Sequence, residues 1–474
     1  MKFLKYSILV FFVSVFVFSC KDRDDELQPA SSLEIKDFIW KAMNIFYLYK
    51  SDVPDLADSR FTTVGELNSF LESFDSPESL YDGIQAPQDR FSFITSNYIE
   101  LEKLFSGVSV SNGLEFNLKK YPDGSGNVYG FIRQILPDTD ASNSSLKRGD
   151  IFNTIDGQQI TEENFSALIG RNSYTIGLAD FDGTTVTPNG VTVSLTKREY
   201  SENPIFIDKV IDVSNKKVGY LMYSGFIGDF DNQLNTVFGN FKAEGITDLV
   251  LDLRYNGGGS VSSAIDLSSM ITGQFTGEIF STEEWNDRLQ NEFQQNNPVR
   301  LTNVFRDKIR GDGASINSLN LTKVYILTTG RSASASELVI NSLDPYIDVV
   351  HIGDTTSGKY QASITLYDSD NFGRSGANRN HFYAIQPLVL KSLNKVGFTD
   401  YDNGLTPDIM LEEDLTNAGV LGDPEEPLLK AALDMISSGQ RPIGRKSAFR
   451  NTKAVGNSRM FFSNYERMYI RLDQ

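Results

Sequence analysis

Leu249-Val250-Leu251-Asp252-Leu253-Arg254-Tyr255-Asn256-Gly257-Gly258-Gly259 (residues 249–259) is an apolar run bounded by polar residues that ends in three glycines. The run from Leu249 to Leu253 is short and apolar, as a buried strand is. A helical stretch from Ser262 to Ile271 follows. Glycines admit positive φ and let backbone approach a ligand closely. The N–H groups exposed at such a turn can hold a developing negative charge. A phosphate loop would place similar glycines, but no Gly-Lys-Ser/Thr follows here.

The same rhythm repeats on either side of this run. Val218–Ser224 reads as a strand, and Phe230, Leu234, Val237, Phe238 and Phe241 form one helical stripe. Val324–Leu327 is a second buried strand, with a helix from about Ala335 to Leu343 and a further strand at Val349–Gly353. Strand and helix in alternation indicate an α/β domain, assigned to residues 201–440.

Two turns in this domain carry reactive side chains. Thr328-Thr329-Gly330-Arg331-Ser332-Ala333-Ser334-Ala335-Ser336-Glu337 joins a buried strand to a helix. A lone serine there would read as a helix cap. Gly353-Asp354-Thr355-Thr356-Ser357-Gly358-Lys359 leaves the next strand and ends on a lysine. A serine at a helix start and a lysine from an adjacent strand end can meet.

Together the three segments resemble the C-terminal processing peptidases, or tail-specific proteases: Asp-Leu-Arg-x-Asn-x-Gly-Gly, then Ser-Ala-Ser-Glu, then Gly-Lys. The resemblance covers about residues 85 to 415 and includes Asn403-Gly404-Leu405-Thr406-Pro407-Asp408. It implies a ClpP/crotonase-like α/β core, Ser334 as nucleophile, and Lys359, 25 positions later, as base. That spacing selects Ser334 over Ser332 and Ser336. The oxyanion hole would combine the N–H of Ala335 with one from the Gly257-Gly258 turn. One departure stands out. Many members carry a glutamine four positions after the lysine, where this chain has Ser363; Gln361 lies two positions after. The residue that orients Lys359 is therefore unassigned.

The composition agrees with a lysine base. His351 and His381 are the only histidines and neither lies in a motif, which disfavours a Ser-His-Asp triad. A lysine serves only if its pKa falls well below about 10.4, as burial can arrange. Cys20 is the only cysteine, so no internal disulfide forms, and too few Cys and His ligands exist for an ordinary structural zinc site. No cofactor or metal is expected.

Upstream, Leu114-Glu115-Phe116 alternates like a strand after Gly113, Val128–Ile135 is a second, and Ile151–Ile155 enters a tight turn at Asp156-Gly157. Thr161–Ile169 reads as a short helix capped by Thr161, and Val191–Leu195 as a last strand. With the string LKRGDIFNTIDGQQI, residues 104–200 resemble an inserted PDZ domain, in which Gly149-Asp150 marks a turn and not an adhesion motif. Gly113, Leu114, Glu115 and Phe116 are then the substrate-binding strand, taking the C-terminus of a peptide by strand addition. Residues 31–100 read as an N-terminal helical packing domain, with Phe38, Ile39, Ala42, Ile45 and Phe46 at helical spacing.

The first twenty residues read as an export signal: Lys2 and Lys5, an apolar run from Tyr6 to Phe18, then Ser19-Cys20. This resembles a bacterial lipoprotein signal with Cys20 as the lipidated residue. Residues 21–30 are a charged linker. The expected location is the cell envelope, lipid-anchored to the outer membrane on its periplasmic or surface face. The net charge of −18 argues against nucleic acid as a partner and against electrostatic docking on anionic lipid. The partners expected are protein or peptide substrates, with the membrane reached only through the anchor. The tail from Arg441 is basic, then aromatic at Phe461-Phe462, and no function attaches to it by sequence. The competing reading is a catalytically weak or inactive lipoprotein that holds peptides by its PDZ-like region. The absent glutamine favours it; the presence of Ser334 and Lys359 does not.

Overall fold

The computed structural model describes residues 29–311, 313–414, 417–441, 454–460, 462 and 465–470. The expected export signal and Cys20 lie outside them. The centre is a six-stranded sheet in the order Ile205–Val213, Lys216–Tyr223, Asp248–Asp252, Lys323–Thr328, Asp348–Gly353, Ile409–Met410. The first pair is an antiparallel hairpin and all later neighbours are parallel. Asp252 pairs with Leu327, and Leu327 with Ile352, so three adjacent strands end at one level. In open α/β sheets the crevice beyond the carboxyl ends of the strands is where ligands bind.

Both faces of the sheet are covered, which explains the apolar runs of its inner strands Asp248–Asp252 and Lys323–Thr328. The helices Asp231–Glu244, Val261–Ile271 and Ala335–Leu343 pack on one face. The same core takes in the N-terminal helix Ser32–Phe46 through Ile35, Phe38, Ile39, Ala42 and Met43, so the N-terminal helices and the sheet share one apolar interior. That first helix opens on a capping box: the Glu34 N–H donates to Ser31 Oγ at 3.2 Å and the Ser31 N–H to Glu34 Oε2 at 2.6 Å. The helix Pro427–Ser438 seals the opposite face with Leu428, Leu429, Ala432 and Leu433.

The β-rich module has its own core, built on Leu114, Phe116, Leu118, Val128, Ile132, Phe152 and Ile155. Its strands run in the order Leu114–Lys120, Val128–Ile135, Ile151–Ile155, Ser173–Phe181, Val186–Thr196. Asp156 and Gly157 both take positive φ, 50° and 75°, the geometry of a two-residue hairpin turn. Two sequence expectations need correction. The helix spans only Phe165–Ile169, because Thr161 is held extended in a bridge to Asn127 and Asn164 takes the cap position. The last strand is longer than Val191–Leu195 and pairs with Ser173–Phe181, whose alternation is broken by a bulge between Gly177 and Ala179.

A second six-stranded sheet runs in the order Gly259–Ser260, Met468–Ile470, Gln361–Ile364, Leu388–Leu393, Ile279–Trp285, Thr302–Val304. Its second strand comes from the C-terminal tail. Another tail strand, Ala454–Asn457, joins the edge of the β-rich module beside Leu114–Lys120.

Candidate active site

The three turns singled out by sequence leave the carboxyl ends of Asp248–Asp252, Lys323–Thr328 and Asp348–Gly353. In the middle turn all three serines are buried, but their hydroxyls differ. Ser332 Oγ donates to the Leu253 carbonyl at 2.7 Å, and Ser336 Oγ to the Asn256 carbonyl at 3.0 Å. Ser334 Oγ has no hydrogen-bond partner among the described residues. Two hydroxyls hold the turn; the third is uncommitted.

Ser334 also has an unusual backbone, φ 67° and ψ −115°. An L-residue with a side chain avoids this region, at a cost on the order of 1–3 kcal/mol. Ser334 occupies the cap position at the start of Ala335–Leu343, where the helix dipole favours negative charge.

The Glu337 carboxylate holds this conformation. Its Oε2 accepts the N–H of Ser334 at 2.7 Å and of Lys359 at 2.9 Å. Its Oε1 accepts the Thr356 hydroxyl at 2.5 Å and the Gly358 N–H at 2.7 Å. One buried side chain thus clamps the serine turn to the lysine turn. Burial pushes the Glu337 pKa up, and the four donors work against that push.

Lys359 is fully buried. Its Nζ donates to the Glu466 carbonyl at 3.0 Å and lies 4.9 Å from the centre of the Phe91 ring. Burial, then repulsion from Arg467, holds its pKa well below the usual lysine range, outweighing Glu466, Asp89 and Glu337. A buried, unpaired ammonium is costly, so the neutral amine is favoured. Arg467 is itself lowered to about 10 by burial.

The glycine turn touches the serine turn directly. The Ala333 N–H donates to the Asn256 carbonyl at 3.1 Å. A Cβ on Gly258, whose φ is 105°, would lie 2.6 Å from Ser334 Cβ and 2.5 Å from the Arg467 carbonyl oxygen. Only glycine fits there. One expected role changes: the Gly258 N–H is spent on Asn256 Oδ1 at 2.8 Å. Among the described residues, the N–H groups of Gly257 and Ala335 carry no hydrogen bond and remain for a developing oxyanion.

The expected substrate strand lies in the β-rich module. Gly113, at φ 82°, packs against Thr139, and the Leu114 N–H donates to Asn112 Oδ1 at 3.2 Å. The Phe116 N–H donates to Ser458 Oγ at 3.2 Å, and its carbonyl accepts the Ser458 N–H at 3.0 Å. Glu115 is buried, within 2.5 Å of Arg133 and 3.0 Å of Arg459. Burial alone would raise its pKa, but Arg459 and Arg133 outweigh that and hold it at about 2. The edge of this strand is therefore taken up by the chain's own tail.

The Gln361 amide is engaged elsewhere: it donates to Tyr49 Oη at 3.0 Å. Ser363 Oγ is buried with no partner among the described residues. The sequence motif contains Glu337 without assigning it a role, and no sequence signal marks Glu466, Arg467 or Phe91 as neighbours of the lysine. The cleft over the glycine turn is lined by Phe105, Phe226, Arg331, Tyr465, Glu466 and Tyr469.

The chain is similar to known peptidases. Residues 217–380 match the model of peptidase family S41, and residues 34–93 that of the peptidase S41 N-terminal domain. The carboxy-terminal-processing protease of Bartonella bacilliformis is 23% identical over 389 residues, 78% of this chain and 74% of that protein. The carboxyl-terminal-processing protease of a Picosynechococcus species is 24% identical over 389 residues, 81% of this chain and 80% of that one. A crystal structure assigned to an S41 protease of Bacteroides fragilis superimposes with a TM-score of 0.65 at 27% identity, covering 85% of this chain and 97% of that one.

Proposed function

The chain belongs to the C-terminal processing peptidases of family S41 and is a serine peptidase; from that premise we propose that Ser334 and Lys359 form its catalytic dyad. The observation that carries the reading is the pairing of two buried, mutually clamped turns. One holds the only uncommitted hydroxyl of three serines, the other a lysine with a depressed pKa. A serine hydroxyl needs a neighbouring base, and a neutral lysine supplies one.

In the proposed mechanism Lys359 Nζ takes the Ser334 hydroxyl proton as Oγ attacks the scissile carbonyl. The oxyanion is met by the N–H groups of Gly257 and Ala335. Lys359 then protonates the leaving amine and activates the water that hydrolyses the acyl-enzyme. We read the β-rich module as PDZ-like, the sheet as a ClpP/crotonase-like core, and the substrates as exported proteins cut near or from their C-termini. The PDZ-like strand from Gly113 to Phe116 would select free C-termini by strand addition. Cys20 is proposed as a lipid anchor at the cell envelope; Cys20→Ser with intact export should release a soluble form.

Alanine replacement of each serine, with hydrolysis of an unfolded protein as readout, tests the assignment. Ser334→Ala should abolish turnover while the fold survives. Ser332→Ala and Ser336→Ala should each cost about 1 kcal/mol of stability and leave turnover measurable. Wild-type turnover by Ser334→Ala would refute the assignment.

A further inference from the structure

The tail to which sequence assigns no role meets every part of the site just described. Met468–Ile470 lies between Gly259–Ser260 and Gln361–Ile364 and pairs with both, in parallel. It therefore bridges the glycine turn to the strand just after Lys359. The Arg467 carbonyl oxygen lies against Gly258, next to Ser334. The Glu466 carbonyl accepts the Lys359 Nζ hydrogen bond. An extended segment that pairs in the cleft and meets the catalytic residues with its carbonyls is laid out as a bound peptide is.

The other tail strand, Ala454–Asn457, adds to Leu114–Lys120, with Asn457 opposite Asn117 and Gly456 opposite Leu118. A charged latch holds Ser458 and Arg459 just after this strand. Arg459 reaches Glu115 at 3.0 Å and Glu202 at 2.8 Å, and Ser458 Oγ donates to Glu115 Oε2 at 2.6 Å. Arg331 donates to Asn457 Oδ1 at 3.1 Å and stacks 5.3 Å from the Tyr465 ring. Tyr469 packs on Phe105 with ring centres 4.4 Å apart.

We propose that the chain's own C-terminal segment is a ligand of its peptide-binding path and holds the enzyme in a self-inhibited state. The inference rests on the dyad reading for its catalytic consequence, but the occupancy itself does not. With the tail seated, the base donates to Glu466 while the Ser334 hydroxyl has no partner among the described residues, so the proton-transfer pair is uncoupled. The competing ligand is an extended polypeptide, which must displace the tail strand from the sheet before its own carbonyl can reach Ser334. Seated and displaced forms differ by the balance of these pairings, so weakening the latch shifts the population toward the open form.

The test has a binding arm and a turnover arm, both on the full chain. In a Ser334→Ala background, a fluorescent peptide of residues 454–470 is titrated against the chain with and without Arg459→Glu, which sets a negative charge against Glu115 and Glu202. The latch-broken chain should bind the peptide at least about tenfold more tightly, since its path is vacated. With Ser334 intact, Arg459→Glu should raise hydrolysis of an added substrate by about tenfold or more, and added peptide should reverse the gain. Should Arg459→Glu fail to fold, judged by circular dichroism, Tyr469→Ala gives the same readouts through the lost contact with Phe105. Tighter peptide binding with no turnover in any variant would support self-occupancy and count against the dyad. Unchanged peptide binding and unchanged turnover in a folded latch variant would overturn the proposal.

Discussion

Glu337 Oε2 accepts the backbone N–H of Lys359 at 2.9 Å, across 22 residues of sequence, and this bond sets the lysine turn against the serine turn. The same oxygen accepts the Ser334 N–H, so a shift of the carboxylate moves both turns at once.

Glu337→Gln should therefore lower kcat on the order of 100-fold with KM little changed, because a misplacement of about 1 Å costs that much. The amide also removes a negative charge that raises the Lys359 pKa. The rising limb of the pH–rate profile should then move to lower pH. A carboxylate that only stabilised the fold would lower the melting temperature and leave the limb where it was.

Gly258→Ala forces a Cβ into Ser334 Cβ and the Arg467 carbonyl at a φ of 105°. Hydrolysis should fall on the order of 100-fold, with a stability loss above about 1 kcal/mol. Normal kinetics would mean the glycine turn lies farther from the reacting serine than the geometry indicates.

Glu115 gives a stability signature in acid. Its folded pKa, about 2, is below its ordinary 4.5, so its stabilisation is fully present above pH 4.5 and is lost as pH falls toward 2. The linkage is on the order of 3 kcal/mol. Chemical denaturation between pH 5 and pH 2 should show this loss, and Glu115→Gln should flatten the slope. An unchanged slope in that variant would remove Glu115 from the latch.

Peptides with a free and an amidated apolar C-terminus separate the two ways of recruiting substrate. Strand addition along Gly113–Phe116 predicts faster cleavage of the free carboxylate. Equal rates would assign selection to the cleft alone.

Much of this was legible in the sequence, for physical reasons. The buried strands from Leu249, Val324 and Val349 stand out because a parallel sheet covered on both faces leaves no polar alternation to confuse them. The proposed pairing of Ser334 with Lys359 rests on the resemblance to the C-terminal processing peptidases, whose motif spacing these two residues match. Glu337 was harder: a glutamate three residues after a serine at a helix start reads as a capping box, a local role. Its bonds to Thr356, Gly358 and Lys359 exist only once two strands lie side by side. The tail strands are short and lack periodicity, and their pairing is dictated by the edges they meet, at Leu114–Lys120 and Gln361–Ile364. Thr161 misled for a similar reason, since its partner Asn127 is distant in sequence.

The most direct test of the account is the turnover of Lys359→Arg across pH. Lysine with a depressed pKa gives up its proton in the working range, so the wild-type rate should rise with pH through that pKa. A guanidinium does not, so the variant should be near-inactive at every pH although it keeps the charge and most of the volume. Substantial turnover by Lys359→Arg with an unshifted pH profile would contradict the Ser334/Lys359 dyad.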